Sequence, residues 1–198
     1  DPSRQLLTTY SGAWLESKDM KDTKLTAAYI KGINARYDNQ FQDLSLFPNN
    51  DPNTAKAADG MYLAGIDHQL NKEIGASYWY ADVKDIYQQH YLGLNYTTNF
   101  GEKTKLSSYA RYFDHSESGD QLYGTIDNQA VSLGAKINHG AHTVGLGYQQ
   151  MLGDSPFPTL AGWVPQPYLV NWGVATFTNT DEKSWGLTYG YDFSALGA

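Results

Sequence analysis

The sequence predicts an all-β protein, and specifically a transmembrane antiparallel up-and-down β-barrel. Three observations support this class. Apolar residues alternate strictly with small or polar ones in segment after segment, no window shows a helical period of 3.6, and short connections alternate with long ones. The pattern indicates about nine strands of roughly 9 to 12 residues, the length with which a tilted strand crosses a bilayer.

The composition excludes several classes of protein. The chain has 198 residues, 16 Tyr, 5 Trp, 7 Phe, 19 Gly, no Cys and a net charge of −7. Without Cys there are neither disulfides nor thiolate metal sites, and the His residues show no metal-ligand spacing, so no metal or other cofactor is expected. The negative charge argues against nucleic-acid binding. No run approaches the 18 apolar residues of a transmembrane helix.

The segment 183–193, KSWGLTYGYDF, shows the alternation most clearly. Its apolar positions are Trp185, Leu187, Tyr189, Tyr191 and Phe193, and small or polar residues lie between them. A face packed on a soluble core would favour Val, Ile and Leu, whereas this one is nearly all aromatic. We therefore expect this face to contact lipid, with Trp and Tyr in an interfacial girdle, and the small polar face to line a lumen that contains water.

The same alternation recurs along the chain, in the segments 24–30, 61–68, 90–97, 105–113, 130–138 and 142–150. The segment 75–82 is also predicted to be a strand, but it is aromatic on both faces and its faces cannot be assigned. A weaker pattern indicates a first strand near residues 10–18. Closure into a barrel is required because an open sheet edge in lipid leaves backbone groups without hydrogen-bond partners.

The predicted connections differ in length at the two ends of the strands. Those at 19–22, 71–73, 101–104 and 138–141 are short and carry the Gly, Asn and Asp of tight hairpin turns. Those at 36–57, 115–127 and 152–182 are long, and a short connection near Lys84 and Asp85 is the exception on that side. Periplasmic turns and extracellular loops of an outer-membrane barrel are sorted in this way.

Several stretches resemble the OprD family of substrate-specific outer-membrane porins. They include SRQLL, YSGAWLESKDMKDTKLTAAYI, ASYWYADVKDIYQQHYLGLNYT, GLGYQQMLGDSPFP and TNTDEKSWGLTYGYDFSALG. The resemblance implies a monomeric barrel of about eighteen strands in the bacterial outer membrane. Residues 1–198 are therefore expected to be the central portion of a single barrel domain. The C-terminal SALGA, which lacks a final aromatic residue, agrees with this expectation.

The resemblance also implies a function. The protein is expected to be a channel and not an enzyme. The channel would allow passive, substrate-selective diffusion of small carboxylate-bearing solutes such as amino acids or aromatic acids. The expected partners are these solutes and outer-membrane lipid or lipopolysaccharide. Two alternatives remain open: a small closed barrel with a structural or adhesive role and no open pore, and an outer-membrane enzyme, for which no catalytic group can be assembled from the sequence.

A basic track is predicted on the lumen side of two neighbouring strands. Lys105, Arg111 and Lys136 fall at lumen-facing positions, with Lys105 and Lys136 next to short turns and Arg111 roughly 15 Å further from the periplasmic rim. The family uses such a ladder to pass carboxylates from site to site. Thr188 stands where the family often has a basic residue, which weakens the track at that strand. The alternative is that these side chains are merely solvated.

The connection 151–170 is unusually apolar for a cell-surface loop. It contains four Pro together with Phe157, Trp163 and Tyr168 and carries few charges. We expect it to fold back into the barrel mouth, with Asp154 and Ser155 as constriction-loop residues opposite the basic wall. The alternative is a surface loop that packs on neighbouring loops.

Overall fold

The computed structural model describes residues 8–34, 39–46, 56–160 and 177–196. The described residues form nine β-strands and one short 3-10 helix, Phe193–Leu196. The strands are β1 Thr9–Ser17, β2 Thr23–Asn34, β3 Met61–Gln69, β4 Ile74–Val83, β5 Tyr87–Phe100, β6 Thr104–Glu117, β7 Asp127–His139, β8 His142–Leu152 and β9 Lys183–Tyr191. Within these ranges, no helix has the length and apolar character needed to cross a membrane.

The nine strands form one sheet in which each strand pairs with the next along the chain. The order is β1 to β9 and every pairing is antiparallel, which confirms the predicted up-and-down topology. In the described sheet β1 and β9 are the two edges and do not pair with each other. The small closed barrel considered above requires that pairing, so the sheet disagrees with it.

The last strand is shorter than the sequence pattern predicts. β9 ends at Tyr191, and Phe193 begins the 3-10 helix instead of completing the strand. The cause is local: the carboxylate of Asp192 accepts hydrogen bonds from the backbone N–H of Ser194 at 3.0 Å and from its hydroxyl at 2.7 Å. A side chain that caps the backbone two residues further on turns the chain out of the extended conformation.

The sheet has two faces of opposite chemistry. The outer face carries large apolar side chains that are exposed, among them Leu15, Tyr62, Leu92, Leu133, Leu146 and Leu187. The inner face carries the alternate residues, many of them small, polar or charged, with large apolar ones towards the end of the strands where the long connections lie. In β4, whose faces the sequence left open, Trp79 lies on the inner face with Ser77, whereas Tyr78 and Tyr80 lie on the outer one. Trp79 covers Gly65 so closely that a Cβ at Gly65 would stand 2.2 Å from the indole.

Both long and short connections fall where the sequence predicts. We call the end of the strands with the turns 18–22, 70–73, 101–103 and 140–141 the turn end, and the opposite end the loop end. At the loop end, residues 39–46 return to the sheet, with backbone hydrogen bonds between Ile33 and Gln42 and between Leu44 and Ala58. Leu44 is fully buried against Ile33, Val83 and Ile86. A core of loop and strand residues therefore fills the loop end of the inner face.

Candidate functional site on the inner face

A continuous row of small and polar residues crosses the inner face from β2 to β9. Its members are successive register partners: Lys24, Asp67, Ser77, Gly93, Arg111, Ser132, Gln149 and Ser184. We call it the polar row. Because directly paired residues present their side chains on the same face of a sheet, these eight residues form one band across the wall. Lys24, Asp67 and Ser77 are half-buried and give the β2–β4 part of the band a polar surface, whereas the members from Gly93 to Ser184 are buried.

Arg111 lies in the middle of the polar row but is held against the wall. Its Nη1 donates to the backbone carbonyls of Leu94 and Ala110, its Nη2 donates to the side-chain oxygen of Asn95, and its Cζ lies 5.0 Å from the centroid of the Tyr109 ring. Only 9% of the residue is exposed. The planar fork of Arg suits several fixed acceptors at once. The structure thus places Arg111 on the predicted face and orients its charge towards the turn end.

Lys105 and Lys136 lie nearer the turn end on the same two strands. Lys105 is paired with Asn138 and Lys136 with Ser107, so the two lysines are diagonal neighbours across β6 and β7. Both residues are exposed on the inner face. Diagonal positions are about 7 to 8 Å apart, close enough for one solute to meet both ammonium groups in turn.

A charged network at the other end of the polar row was not predicted as a site. Lys24 Nζ lies 3.5 Å from Glu16 Oε1 and 3.2 Å from Asp67 Oδ2, and it lies 5.7 Å from the Trp79 ring centroid. Asp67 Oδ1 accepts from the Ser77 hydroxyl at 2.7 Å and from Trp79 Nε1 at 3.2 Å. Two carboxylates around one ammonium leave this part of the wall negative. The signal in the sequence was the period-2 register, which places Lys24 and Asp67 opposite the apolar residues of their strands.

A row of mostly large apolar side chains lies next to the polar row, nearer the loop end. Its members are the register partners Trp79, Tyr91, Phe113, Ala130 and Met151. We call it the aromatic row. Tyr91, Phe113, Ala130 and Met151 are buried, and Phe157 from the β8–β9 connection packs among them. The inner face is therefore layered, with an apolar layer between the polar row and the loop end.

Phe157 reaches the inner face next to a buried histidine. Its ring lies 5.3 Å from that of Phe113 and 4.6 Å from that of His115, in edge-on geometry. His115 is 1% exposed, with Nδ1 3.2 Å from the Asn128 carbonyl and Nε2 2.9 Å from Gln89 Oε1. The described start of the β8–β9 connection thus lies against the inner face. Trp163 and Tyr168, which were expected to take part, lie outside the described residues.

The two predicted constriction residues differ in their surroundings. The Ser155 hydroxyl accepts from the backbone N–H of Asp127 at 3.0 Å, and the Ser155 N–H donates to the Asp127 carbonyl at 2.9 Å. The Ser155 carbonyl accepts from the side-chain amide of Asn128 at 3.0 Å. Ser155 therefore attaches the connection to the beginning of β7. Asp154, next to it, is exposed to solvent.

Two hydroxyls of the polar row are buried and have no hydrogen-bond partner among the residues that the structure describes. They are Ser132 Oγ and Ser184 Oγ, which flank Gln149 on the three neighbouring strands β7, β8 and β9. Gln149 donates to the Phe177 carbonyl from the end of the β8–β9 connection. In the described ranges no group of three or more His, Cys, Asp and Glu side chains is placed to hold a metal ion.

An antiparallel sheet with an aromatic outer face, a charged inner face and connections sorted by length defines the wall of a membrane channel built from strands. The comparisons with known proteins agree. All of residues 1–198 match the family described as outer membrane porin, OprD family. The chain belongs to the OprD family of outer-membrane porins. Its location is accordingly the bacterial outer membrane, and the family consists of channels rather than enzymes.

Individual relatives match over the whole chain. Porin-like protein GalP of Pseudomonas putida is 27% identical over 200 residues, which cover 100% of this chain and 47% of the relative. The crystal structure of Pseudomonas aeruginosa OpdL is 38% identical with a TM-score of 0.89, and the match covers 100% of this chain and 53% of OpdL. The chain thus spans about half the length of these relatives, and its nine strands form part of a barrel.

Two further structures of Pseudomonas aeruginosa relatives contain small molecules. OccK2 (OpdF) in complex with glucuronate is 31% identical with a TM-score of 0.91, covering 100% of this chain and 52% of that chain. OpdK with vanillate is 28% identical with a TM-score of 0.89, covering 100% of this chain and 51% of that chain. Both molecules carry one carboxylate on a small ring.

Proposed function

We propose that this chain forms part of the wall of a passive, substrate-selective channel for small carboxylate-bearing solutes, such as aromatic acids or amino acids. The observation that carries the proposal is the placement of Lys105, Lys136 and Arg111 on the inner face of two neighbouring strands. The carboxylates present in the structures of OccK2 and OpdK support the same solute class.

The three cations have different roles in this proposal. Lys105 and Lys136 are exposed and meet the solute directly, whereas the buried guanidinium of Arg111 acts through its field on the space beside Tyr109 and Asn95. A unit charge at 4 Å contributes about 1 kcal/mol in water and about 4 kcal/mol at an effective dielectric constant near 20. Such energies favour occupancy by an anion without trapping it, as conduction requires.

The connection between β8 and β9 narrows the pore in this proposal. Ser155 fixes the connection to β7, Phe157 fixes it to the aromatic row, and Asp154 supplies an exposed carboxylate at the constriction. A carboxylate that faces a basic wall disfavours solutes whose charges do not complement both groups. We also propose that residues 1–198 are the central portion of a single monomeric barrel domain whose outer face contacts outer-membrane lipid or lipopolysaccharide.

The test is electrophysiology on the intact channel in planar bilayers. Under a KCl gradient, Lys105→Ala with Lys136→Ala should shift the reversal potential towards cation preference and should reduce vanillate and glucuronate flux in a liposome assay. The shift should shrink at high salt, because the Debye length falls from about 10 Å at 0.1 M to about 3 Å at 1 M.

Lys72→Ala is the matched control, since Lys72 is an exposed lysine in the turn between β3 and β4. It removes one positive charge, as each of the two lysine substitutions does, but away from β6 and β7, and it should leave reversal potential and flux unchanged. Equal reversal potentials for the double variant and the unchanged channel at low salt, together with unchanged flux of both acids, would refute the proposal.

A further inference from the structure

Four of the five histidines lie on the outer face, and each has the same type of partner. In each case the ring Nδ1 lies within hydrogen-bond distance of a hydroxyl on a neighbouring strand. The pairs are Thr23 and His68 at 2.8 Å, Tyr78 and His90 at 2.8 Å, Thr104 and His139 at 2.7 Å, and Tyr189 and His142 at 2.8 Å. The rings on this face are thus oriented by their neighbours.

Two of these histidines form a pair at the turn end. His139 and His142 are register partners on either side of the two-residue turn Gly140–Ala141, so their Cβ atoms are about 5 Å apart on the same face. Gly140 has φ of 56°, as this tight turn requires. Both histidines are exposed, and the Tyr191 ring packs edge-on against His142 at 5.0 Å. The pair is a preformed surface feature and not two independent side chains.

The hydrogen bonds give this pair a defined chemistry. A hydroxyl that donates to Nδ1 leaves the neutral imidazole with its proton on Nε2. In the tautomer in which the Thr104 and Tyr189 hydroxyls donate to Nδ1, His139 and His142 present two Nε2–H donors on the same face of the sheet. The adjacent turn 101–103, which carries Glu102 and Lys103, is joined to the pair through the Lys103 carbonyl, which accepts from the N–H of Gly140 at 3.0 Å. Paired donors beside a lysine-bearing turn suit an oxyanion with several acceptor oxygens.

The surroundings of the pair indicate which oxyanion it meets. Exposed apolar side chains lie at the same end of the sheet: Phe100 is 60% exposed, Tyr189 66% and Phe193 68%. Short turns of outer-membrane barrels face the periplasm, and aromatic side chains at the strand ends lie at headgroup level. The oxyanion available at that level is the lipid phosphate.

We propose that His139 and His142 form an outer-surface site for the phosphate of a phospholipid headgroup in the periplasmic leaflet. The site lies at the lipid-facing end of β7 and β8, on the face opposite the polar row. It is therefore independent of solute transport and does not rest on the proposed selectivity for carboxylates.

Native mass spectrometry of the intact channel, purified in detergent and titrated with phosphatidylglycerol, tests the proposal. The ligand control is a diacylglycerol with the same chains, which lacks the phosphate. The unchanged channel should retain phosphatidylglycerol in preference to diacylglycerol. His139→Phe with His142→Phe keeps two aromatic rings but removes both N–H donors, and it should weaken phosphatidylglycerol retention by at least about tenfold, since even one lost charge-assisted hydrogen bond has that effect.

His90→Phe is the matched control, because His90 has the same hydroxyl contact on the outer face but no histidine opposite it. It should retain phosphatidylglycerol as the unchanged channel does. A heat-dependent mobility shift in detergent gels verifies that each variant is folded. Equal retention by the folded double variant overturns the proposal, as does equal retention of both lipids by the unchanged channel. Displacement of the lipid by millimolar inorganic phosphate would instead assign the site to free phosphate and overturn the lipid assignment.

Discussion

The ring of Phe157 meets the ring of His115 at an interplanar angle of 74°, with 4.6 Å between the centroids. His115 belongs to β6, whereas Phe157 belongs to the connection that follows β8. The contact therefore joins the connection after β8 to the wall at β6, two strands away. Because this contact lies on the inner face, we expect it to affect the width of the channel.

Removing the Phe157 ring should release this connection from the wall. Phe157→Ala deletes a ring that is 5% exposed, and truncations of buried Phe cost about 3 to 5 kcal/mol when neighbours do not collapse into the space. We expect a higher and noisier single-channel conductance in the intact channel. Phe157→Leu keeps most of the apolar volume and should stay close to the unchanged conductance. Identical traces for the Ala variant would mean that other contacts hold the connection.

Replacing Arg111 with Lys should separate the charge of this residue from its geometry. Lysine keeps the positive charge but has a single nitrogen, and so it lacks the planar fork whose two nitrogens reach Leu94, Ala110 and Asn95. Each lost hydrogen bond from a charged group costs about 1.5 to 3 kcal/mol. We expect Arg111→Lys to lower the midpoint of urea unfolding while the reversal potential changes little. Arg111→Ala should alter both quantities, and a stable Lys variant would contradict the role of the fork.

Two consecutive residues in the middle of β9 test the assignment of the faces. Leu187 lies on the outer face and is 78% exposed, and Thr188 lies on the inner face. Leu187→Arg should reduce the free energy of unfolding by roughly 2 to 4 kcal/mol if it lies near the bilayer midplane, whereas Thr188→Arg meets water and should be tolerated. Urea titration of the intact channel in lipid vesicles measures both. Similar losses for the two variants would exclude this orientation of β9.

Neutralising Lys24 should make its part of the wall more acidic. Lys24→Met preserves the length of the side chain but leaves Glu16 and Asp67 without their shared counter-ion. Because these groups are one third or more exposed, we expect a stability change of about 1 kcal/mol or less and a reversal potential shifted towards cations. Glu16→Gln should shift the potential in the opposite direction. Unchanged potentials in both variants would show that the passing ions do not sense this network.

The period-2 pattern was sufficient to predict the strands and, except in β4, their faces. Leu133, Leu146 and Leu187 lie on the outer face, as the alternation predicted, and the basic residues lie on the inner one. This succeeds because side chains on a strand must alternate and the two faces meet different solvents. The alternation gave no assignment for β4, where both sets are aromatic. There Gly65 decides the orientation, since only a glycine on β3 leaves space for the Trp79 indole.

The period-2 alternation could not predict the contacts between strands and loops. The alternation places Ser132 on the lumen side, where a side chain is expected to meet water, yet the residue is fully buried. The burial of Arg111 likewise depends on Asn95 and Tyr109, whose proximity follows from the register of β5 and β6 and from side-chain rotamers. Alternation assigns a face to each residue but does not determine which neighbours cover it.

The edges of the sheet constrain any barrel that contains it. Since β1 and β9 are separated by seven strands in strict up-and-down order, both run from the loop end to the turn end. Two strands that run in the same direction cannot pair with each other in an antiparallel ladder. Neither could β1 of one copy pair in this way with β9 of a second copy inserted in the same orientation. Antiparallel closure therefore requires an odd number of additional strands, of which the first and the last run upward from the periplasm.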